Sequence, residues 1–282
     1  MNAPQHPAPP APDPARGSRR PWRWLPPAVA AGAWQMALDD ALLEQGSPAL
    51  RLYGWARPTL SLGYHQRRIP PHWPQLAAAG VIELVRRPSG GRAVLHGRGD
   101  LTYALIWPDP PVQREEAYRQ ACHWLQQAFA ALDIPLRFGG EAPRGGSGEA
   151  SCFASATAAD LVDPGGHKRI GSAQLWRRGR LLQHGSIQLS PDPELWRQLF
   201  PEAPPPPEPL LRWGGEPLPP AGHPLLQELL RSARRHLPGG SPVRLVTQPP
   251  TEAERAAVEQ GLARYSEGLT LTSPVATMPR AT

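Results

Sequence analysis

The sequence contains only two cysteines, Cys122 and Cys152, in 282 residues. Two cysteines cannot build the disulfide framework of a small secreted protein, and their spacing matches no structural zinc site. The apolar stretch after Arg20 is broken by prolines, which argues against a secretory signal, and no apolar run is long enough to span a bilayer. We therefore expect a protein of the reducing cytoplasm that binds no metal and no membrane.

Several catalytic motifs are also missing. The chain has no Gly-x-Ser-x-Gly elbow, no Gly-Lys-Ser/Thr end of a Walker A loop, and no cluster of histidines and carboxylates with metal-ligand spacing. Serine hydrolases of that type, Walker-type nucleotide hydrolases and metalloenzymes therefore have no support in the sequence.

Positive charge exceeds negative charge, with 30 Lys and Arg residues against 24 Asp and Glu residues and a formal net charge of +6. Such a balance favours acidic partners. The basic residues are almost all arginine and are dispersed, without a basic block or the aromatic pattern of an RNA-binding motif. We predict that the protein does not bind nucleic acid.

Proline divides the chain, because the 39 prolines gather near both ends and between residues 201 and 220. Residues 1–24 are rich in Pro, Ala and Arg and have few large apolar side chains to offset the entropy of ordering, so we predict a disordered tail. In this interpretation residues 25–245 form one catalytic domain, and residues 246–282 form a C-terminal helix and tail.

Hydrophobic periodicity predicts a mixture of helices and strands. Helical spacing places Cys122 on the buried face of a helix, where it fits as a small hydrophobe, and predicts helices at residues 34–42, 115–132, 223–236 and 252–265. Alternation predicts a hairpin across residues 50–64 with its turn at Arg57-Pro58. It also predicts strands at 81–85, 101–106, 159–162, 170–175 and 181–189, of which the last three are antiparallel because their connections are short.

The first candidate site is the segment at residues 86–96, Arg-Arg-Pro-Ser-Gly-Gly-Arg-Ala-Val-Leu-His. Paired glycines let the backbone bend sharply and approach a ligand closely, and the arginines add positive charge. A phosphate or a thioester ligand suits such a loop. The same letters also describe a plain glycine turn with solvated arginines, and the segment alone does not choose between the two.

The second candidate spans residues 168–187, where Lys168 precedes Gly-Ser-Ala-Gln and a Gln-His-Gly-Ser segment follows on the next strand. Small residues on consecutive strands leave a channel for an extended apolar chain, with Lys168 predicted at its mouth. Taken alone, the lysine also fits a solvated surface position, and His184 fits a hydrogen-bonded structural histidine.

The third candidate is Cys152, in a glycine-rich stretch just before those strands. Only a thiolate is an effective sulfur nucleophile, and a nearby Lys168 ammonium would lower the pKa of the Cys152 thiol by favouring its charged form. The spacing of these two residues does not by itself establish a site.

Taken in order, these segments resemble the lipoate-protein ligase A and lipoyl/octanoyltransferase family, which includes biotin protein ligase relatives. The resemblance covers residues 25–200, and its motifs are Met-Ala-Leu-Asp-Asp-Ala-Leu-Leu at 36–43, Pro-Thr-Leu-Ser-Leu-Gly at 58–63, the segment at 86–96 with Asp-Leu-Thr-Tyr at 100–103, and residues 168–187. It implies a mixed α/β (α+β) fold similar to class II aminoacyl-tRNA synthetases and biotin synthetase, with largely antiparallel sheets flanked by helices.

The position of the cysteine distinguishes branches of this family. Ligases form an acyl-adenylate and need no thiol, whereas the octanoyltransferase branch called LipM has a cysteine in the loop before a Lys-x-x-Gly-Ser-Ala-Gln strand. The LipB branch has its cysteine close to the His-Gly strand instead. Cys152 followed by Lys168 looks like the LipM arrangement, and Arg92 stands where many ligases have a third glycine.

The resemblance therefore implies an acyltransferase of protein lipoylation. Cys152 would take an octanoyl group from octanoyl acyl carrier protein and pass it to a lysine of a lipoyl-domain acceptor, either the glycine cleavage H protein or a dehydrogenase E2, with no cofactor. Lys168 would orient the acyl carbonyl and stabilise its developing charge. The substrate-binding residues that it implies are Arg86, Arg87, Ser89, Gly90, Gly91, Ala93, His96, Gly171, Ser172, Ala173, His184 and Gly185.

Two alternatives stay open at the level of sequence. One is a lipoate-protein ligase that uses ATP and Mg²⁺ at the same glycine loop and Lys168. The other is a non-catalytic module that keeps the fold and recognises lipoylated proteins.

Overall fold

The computed structural model describes residues 21–139, 160–211, 216–240 and 242–266, and within them the chain alternates strands and helices. The strands are β1 (Trp22–Ala30), β2 (Ala49–Trp55), β3 (Thr59–Leu62), β4 (Glu83–Arg86), β5 (Val94–His96), β6 (Asp100–Trp107), β7 (Arg137–Phe138), β8 (Leu161–Val162), β9 (Lys168–Arg177), β10 (Arg180–Gln188) and β11 (Leu245–Thr247). The helices are α1 (Gly32–Gln45), α2 (His72–Ala78), α3 (Arg114–Ala130), α4 (Pro193–Leu199), α5 (Pro224–His236) and α6 (Glu252–Ser266).

A large sheet forms the centre of the fold, with strand order β11-β1-β2-β6-β10-β9-β8-β7. The pairs β1–β11 and β1–β2 are parallel, and the strands from β2 through to β7 pair antiparallel. The predicted antiparallel set near residues 159–189 is confirmed as β8, β9 and β10. The mixed sheet flanked by helices agrees with the predicted fold class.

The predicted hairpin across residues 50–64 is wrong, because β2 and β3 belong to different sheets. Both edges of β2 are occupied, by β1 on one side and by β6 on the other. After Arg57-Pro58 the chain enters a second, three-stranded sheet of order β4-β3-β5, in which β3 pairs parallel with β4 and antiparallel with β5. The turn residues therefore carry the chain between sheets.

Three apolar clusters hold these layers together. One packs α3 and α5 on one face of the large sheet, and a second packs α1 and α6 on the opposite face. The third lies between the small sheet, α2 and α4. Cys122 is fully buried in the first cluster, which confirms the prediction that it faces the core.

Helix α1 is joined to the small sheet by a carboxylate. Glu83 of β4 accepts hydrogen bonds from the backbone N–H groups of Gly32 (2.9 Å) and Ala33 (3.4 Å). The first turn of a helix leaves its N–H groups without helical partners and carries a partial positive charge, so a carboxylate there satisfies both. This contact fixes the small sheet relative to the large one.

Strands from both ends of the described residues join the large sheet. Strand β1 already begins at Trp22, and β11 spans residues 245–247, so the predicted boundaries at 24/25 and 245/246 fall within strands. Helix α6 packs on α1 and buries Val258 and Tyr265. Within the part of the chain that the structure describes, no helix is both long and apolar enough to cross a membrane.

An ion pair between Arg23 and Glu254 fastens α6 to β1. Both guanidinium Nη atoms of Arg23 donate to the Glu254 carboxylate, the Nη2 atom to Oε2 at 2.7 Å, and Glu254 is fully buried. Burial alone would raise the pKa of Glu254, but the Arg23 hydrogen bonds and the Thr251 N–H outweigh it and hold that pKa below its usual value near 4.5.

We expect Glu254→Gln to lower the free energy of unfolding by about 3 kcal/mol at pH 7, because it leaves Arg23 without its buried anion. A carboxylate with a depressed pKa stabilises the fold above its ordinary pKa, and that stabilisation is lost as the pH falls. The difference between variant and wild type should therefore shrink below about pH 4.5. Urea unfolding at pH 7 and pH 3.5 measures it.

Glu259→Gln is the matched control, because Glu259 lies on the same helix but is exposed. Its unfolding free energy should stay within about 0.5 kcal/mol of wild type. An equal loss for Glu254→Gln at both pH values would contradict the electrostatic explanation.

Candidate functional site

A partly enclosed cavity lies where the two sheets face each other. The cavity is mainly apolar, and α1, β2, β3, the loop after β4, β5, β6, β9 and β10 all contribute to it. Its walls are Met36, Tyr53, Trp55, Ser61, Arg87, Gly90, Gly91, Val94, His96, Thr102, Gly171, Ser172, Ala173, His184, Gly185 and Ser186.

Small residues on β9 and β10 make one wall of this cavity. The antiparallel register pairs Ala173 with His184, Ser172 with Gly185, and Gly171 with Ser186. A Cβ atom on Gly185 would lie 2.6 Å from Tyr103 Cε1 and 2.7 Å from the Gly171 carbonyl oxygen. The wall therefore depends on the absence of a side chain at this position.

The glycine loop at residues 86–92 is held in shape by its own arginines. Arg87 is buried and donates to the carbonyl oxygens of Ser61 (2.8 Å), Gly90 (2.8 Å) and Arg92 (2.6 Å). Arg86 donates to the carbonyls of Gly63 (2.8 Å) and Gln66 (2.9 Å). These guanidinium groups thus crosslink the backbones of neighbouring loops. The sequence alone did not indicate this structural role.

The loop also needs close contact between backbones. A Cβ atom on Gly63 would collide with the carbonyl of Gly91, which itself has a φ of 99°. Only glycine adopts such a φ without strain. Three of the predicted ligand-binding residues do not line the cavity. Arg86 and Ser89 line the groove beside it, and Ala93 is fully buried in the apolar cluster of the small sheet.

His96 lines the cavity and is fixed by three contacts. Its Nδ1 atom is 2.7 Å from Asp100 Oδ2, its Nε2 atom is 2.8 Å from Ser61 Oγ, and its ring stacks on Trp55 at a centroid distance of 4.0 Å. Burial lowers the pKa of His96 and outweighs the opposing effect of Asp100. The ring is therefore neutral at pH 7.

His184 also lines the cavity and is held in a similar way. Its Nδ1 atom is 2.9 Å from Asp39 Oδ2, and its Nε2 atom is 2.5 Å from Ser89 Oγ. Asp39 is fully buried on α1 and also bonds Arg51 (2.6 Å) and the Tyr53 hydroxyl (3.1 Å). Burial alone would raise the pKa of Asp39, but Arg51 and His184 hold it below its usual value, so it is ionised.

Sequence reasoning gave Asp39 no role, although it lies inside one of the family motifs. The available signal was an aspartate on the apolar face of a predicted helix, where an unpaired charge is costly. The same reasoning also left out Trp55, Ser61 and Thr102. They lie on strands whose alternation indicated core packing, and only the pairing of the two sheets brings them together.

Lys168 does not line the cavity. It begins β9 and is buried, with Nζ 3.0 Å from Asp160 Oδ2. It is also the only lysine of the chain. Cys152 lies outside the described residues, and Asp160 is the first described residue after that gap.

Cys122 differs from a reactive cysteine in every respect that the structure records. Its sulfur accepts a hydrogen bond from Gln183 Nε2 at 3.0 Å, and burial raises the pKa of its thiol to about 11. A thiol that stays protonated at neutral pH is a poor nucleophile.

A wider groove adjoins the cavity and shares Arg87 and Gly90 with it. We call it the basic groove, because its lining includes five arginines, Arg86, Arg87, Arg114, Arg177 and Arg264. Arg114 lies over the ring of Trp176 at 5.9 Å. Ser89 lines this groove, whereas its partner His184 lines the cavity.

Comparison with known proteins places this site in a family. Residues 31–205 match the profile of the lipoyl protein ligase A/B catalytic domain. The octanoyltransferase LipM of Kyrpidia tusciae is 38% identical over 187 residues, which cover 61% of this chain and 68% of that protein. The octanoyltransferase LipM of Bacillus subtilis is 36% identical over 196 residues, covering 64% and 69%.

Solved structures share the fold at low sequence identity. A lipoate-protein ligase A bound with ATP has a TM-score of 0.67 at 18% identity, covering 86% of this chain and 95% of that one. A bi-partite lipoate protein ligase from Thermoplasma acidophilum has a TM-score of 0.63 at 16% identity, covering 87% and 92%.

We expect Gly185→Ala to destabilise the protein by about 2 kcal/mol, because the new methyl group must displace either the Tyr103 ring or the Gly171 backbone. Urea unfolding measures this loss. Gly97→Ala is the control, since the nearest neighbour of its Cβ would be Pro58 at an ordinary 3.6 Å. Equal free energies of unfolding for the two variants would mean that β9 moves to accommodate the new methyl group without a loss of stability.

Proposed function

The chain belongs to the lipoyl protein ligase A/B catalytic-domain family, and on that premise we propose that it is an octanoyltransferase of protein lipoylation. The octanoyl group passes through a thioester on Cys152 to a lysine of an acceptor protein. The observation that carries this proposal is the partly enclosed apolar cavity beside the basic groove, in a chain 36–38% identical to LipM octanoyltransferases.

The cavity has the chemistry that an octanoyl chain requires. An octanoyl chain buries about seven methylene-sized groups, each worth about 0.8 kcal/mol on leaving water. Gly171, Ala173 and Gly185 leave room along β9 and β10, while Met36 and Trp55 supply apolar contact on the opposite side. The carbonyl end of the chain then faces the basic groove, where the donor and the acceptor arrive.

Cys152 is the nucleophile in this proposal. The chain has two cysteines, and Cys122 is excluded by its burial and its raised pKa. Cys152 stands eight residues before Asp160 in the sequence, and Asp160 bonds Lys168. Because a residue spans at most about 3.6 Å, the chain cannot carry Cys152 farther than about 29 Å from that ion pair.

The transfer proceeds in two steps. The Cys152 thiolate attacks the thioester of octanoyl acyl carrier protein, so that a new C–S bond forms and the carrier thiolate leaves. The acceptor lysine then attacks this thioester, a C–N bond forms, and Cys152 leaves as a thiolate. The first step exchanges one thioester for another and the second forms a more stable amide, so the reaction needs neither ATP nor a metal ion.

We assign the acceptor to the class of lipoyl-domain proteins, which includes the glycine cleavage H protein and dehydrogenase E2 domains. The positive groove suits an acidic donor or acceptor surface. Lys168 contributes the one ammonium group near the cysteine-bearing segment and orients the acyl carbonyl.

We expect wild type and Cys122→Ala to gain one octanoyl group each when they are incubated with octanoyl acyl carrier protein. Cys152→Ala should gain none. Intact-mass spectrometry reads the adduct directly, with and without ATP. The two alanine variants are matched, since each removes one of only two thiols. An adduct on Cys152→Ala, or uptake that requires ATP, would overturn the proposal.

We expect Lys168→Ala to slow octanoyl uptake by about 10²-fold, the usual cost of losing one group that stabilises developing charge. It should also destabilise the fold, because Asp160 is left buried without its cation. The double variant Lys168→Ala/Asp160→Ala separates these effects. Stability should return while uptake stays slow, and a return of both would show that the lysine only anchors Asp160.

A further inference from the structure

A hydrogen-bonded chain of three side chains crosses from the cavity to the basic groove. It consists of Asp39, His184 and Ser89, with 2.9 Å from carboxylate to imidazole and 2.5 Å from imidazole to hydroxyl. His184 lines the cavity and Ser89 lines the groove. The link therefore lies where an acyl carbonyl in the cavity would meet an amine arriving through the groove.

The surrounding charges fix the direction of this chain. Arg51 and the Tyr53 hydroxyl also bond Asp39, so its carboxylate stays ionised and accepts the Nδ1–H of His184. The Nε2 atom of His184 is then the acceptor for the Ser89 hydroxyl. The other charged or titratable groups near His184 are His96, held by Asp100, and Arg87 in the loop.

A second chain of the same composition, Asp100, His96 and Ser61, lies in the same cavity but does not reach the groove. Its histidine stacks on Trp55, and Ser61 also accepts from Arg87 at 3.3 Å. Both serines are buried in the free enzyme, Ser61 completely and Ser89 with 1% of its surface exposed, so the two chains differ in the groove contact of Ser89 and not in burial. Of the two chains, only the one that ends at Ser89 meets the path of the acceptor.

We propose that Ser89 and His184, oriented by Asp39, form a proton relay for the second half of the reaction, in which the acceptor lysine attacks the octanoyl thioester. This inference rests on the proposed octanoyl transfer and adds the groups that move its proton. Asp39 is a positioning residue, because it acts only through His184.

The free amine of the acceptor attacks the thioester carbonyl, the C–N bond forms, and the C–S electron pair leaves with the Cys152 sulfur. The attacking nitrogen gives its extra proton to Ser89 Oγ while the Ser89 proton moves to His184 Nε2. The imidazolium, paired with Asp39, then releases that proton to solvent, and the departing thiolate takes up one proton from solvent. No oxidant, metal or nucleotide takes part.

A two-stage single-turnover experiment tests the relay in the full-length enzyme. Octanoyl acyl carrier protein first loads the enzyme, and intact mass reports the adduct. A lipoyl-domain protein is then added, and loss of the adduct gives the transfer rate. Ser89→Ala and His184→Asn are the variants, because asparagine keeps an N–H near the Nδ1 position to bond Asp39.

We expect both variants to slow transfer about 10²-fold more than they slow loading, within the usual range for general acid–base catalysis. The comparison is made within each variant because His184 also lines the cavity that binds the octanoyl chain. Hydroxylamine is a much weaker base than a lysine amine, so its attacking nitrogen loses its extra proton to water without a relay, and it should discharge all loaded enzymes equally. A merely structural role for the relay would slow both nucleophiles. Ser232→Ala removes a buried hydroxyl that bonds Trp124 in the core and should behave as wild type in every stage.

Three results would overturn the relay while the proposed function stands. These are near-normal transfer by both variants, an equal slowing of hydroxylamine and acceptor, or an octanoyl group mapped to Ser89 itself. A wild-type enzyme that loads no octanoyl group overturns the proposed function instead, and the relay falls with it.

Discussion

The arrangement of the site depends on one buried carboxylate. Asp39 lies on α1 without solvent contact and must be compensated, because a buried charge without partners is unstable. Its partners come from two other elements, Arg51 and Tyr53 on β2 and His184 on β10. The need to satisfy this charge therefore fixes the helix against the sheet and sets the orientation of the imidazole in the cavity.

The second constraint is the close approach of the small sheet to the large one. Glu83 binds the start of α1, and Arg87 gathers the carbonyls of Ser61, Gly90 and Arg92. These contacts hold the glycine loop beside the cavity, where Ser89 forms a hydrogen bond with His184. The arginines of the loop thus bind backbone carbonyl oxygens. The positive charge of the basic groove comes from exposed arginines such as Arg114.

Periodicity and motifs predicted four of the six described helices, α1, α3, α5 and α6, together with the antiparallel set of β8, β9 and β10 and most residues of the cavity. They gave no helix at α2 or α4, each of which is only seven residues long. They missed β1, because Pro26 and Pro27 break its pattern. The structure accommodates this pair at a register shift between Leu25 and Ala28, where a missing N–H costs little. The hairpin prediction failed for a different reason. Alternating apolar residues such as Leu50 and Leu60 indicate strands, but they do not indicate which strand each of those strands pairs with. Asp39 was missed because a sequence does not state which distant groups compensate a buried charge.

The distribution of amines suits an enzyme that holds an activated acyl group. Arginine supplies nearly all of the 30 basic side chains, and its guanidinium stays protonated and does not compete as a nucleophile. The single lysine is buried and bonded to Asp160, so it offers no exposed amine. In the proposed reaction the thioester on Cys152 therefore meets no lysine of its own chain on the surface. Selectivity for the acceptor then follows from access through the basic groove as well as from recognition of the partner.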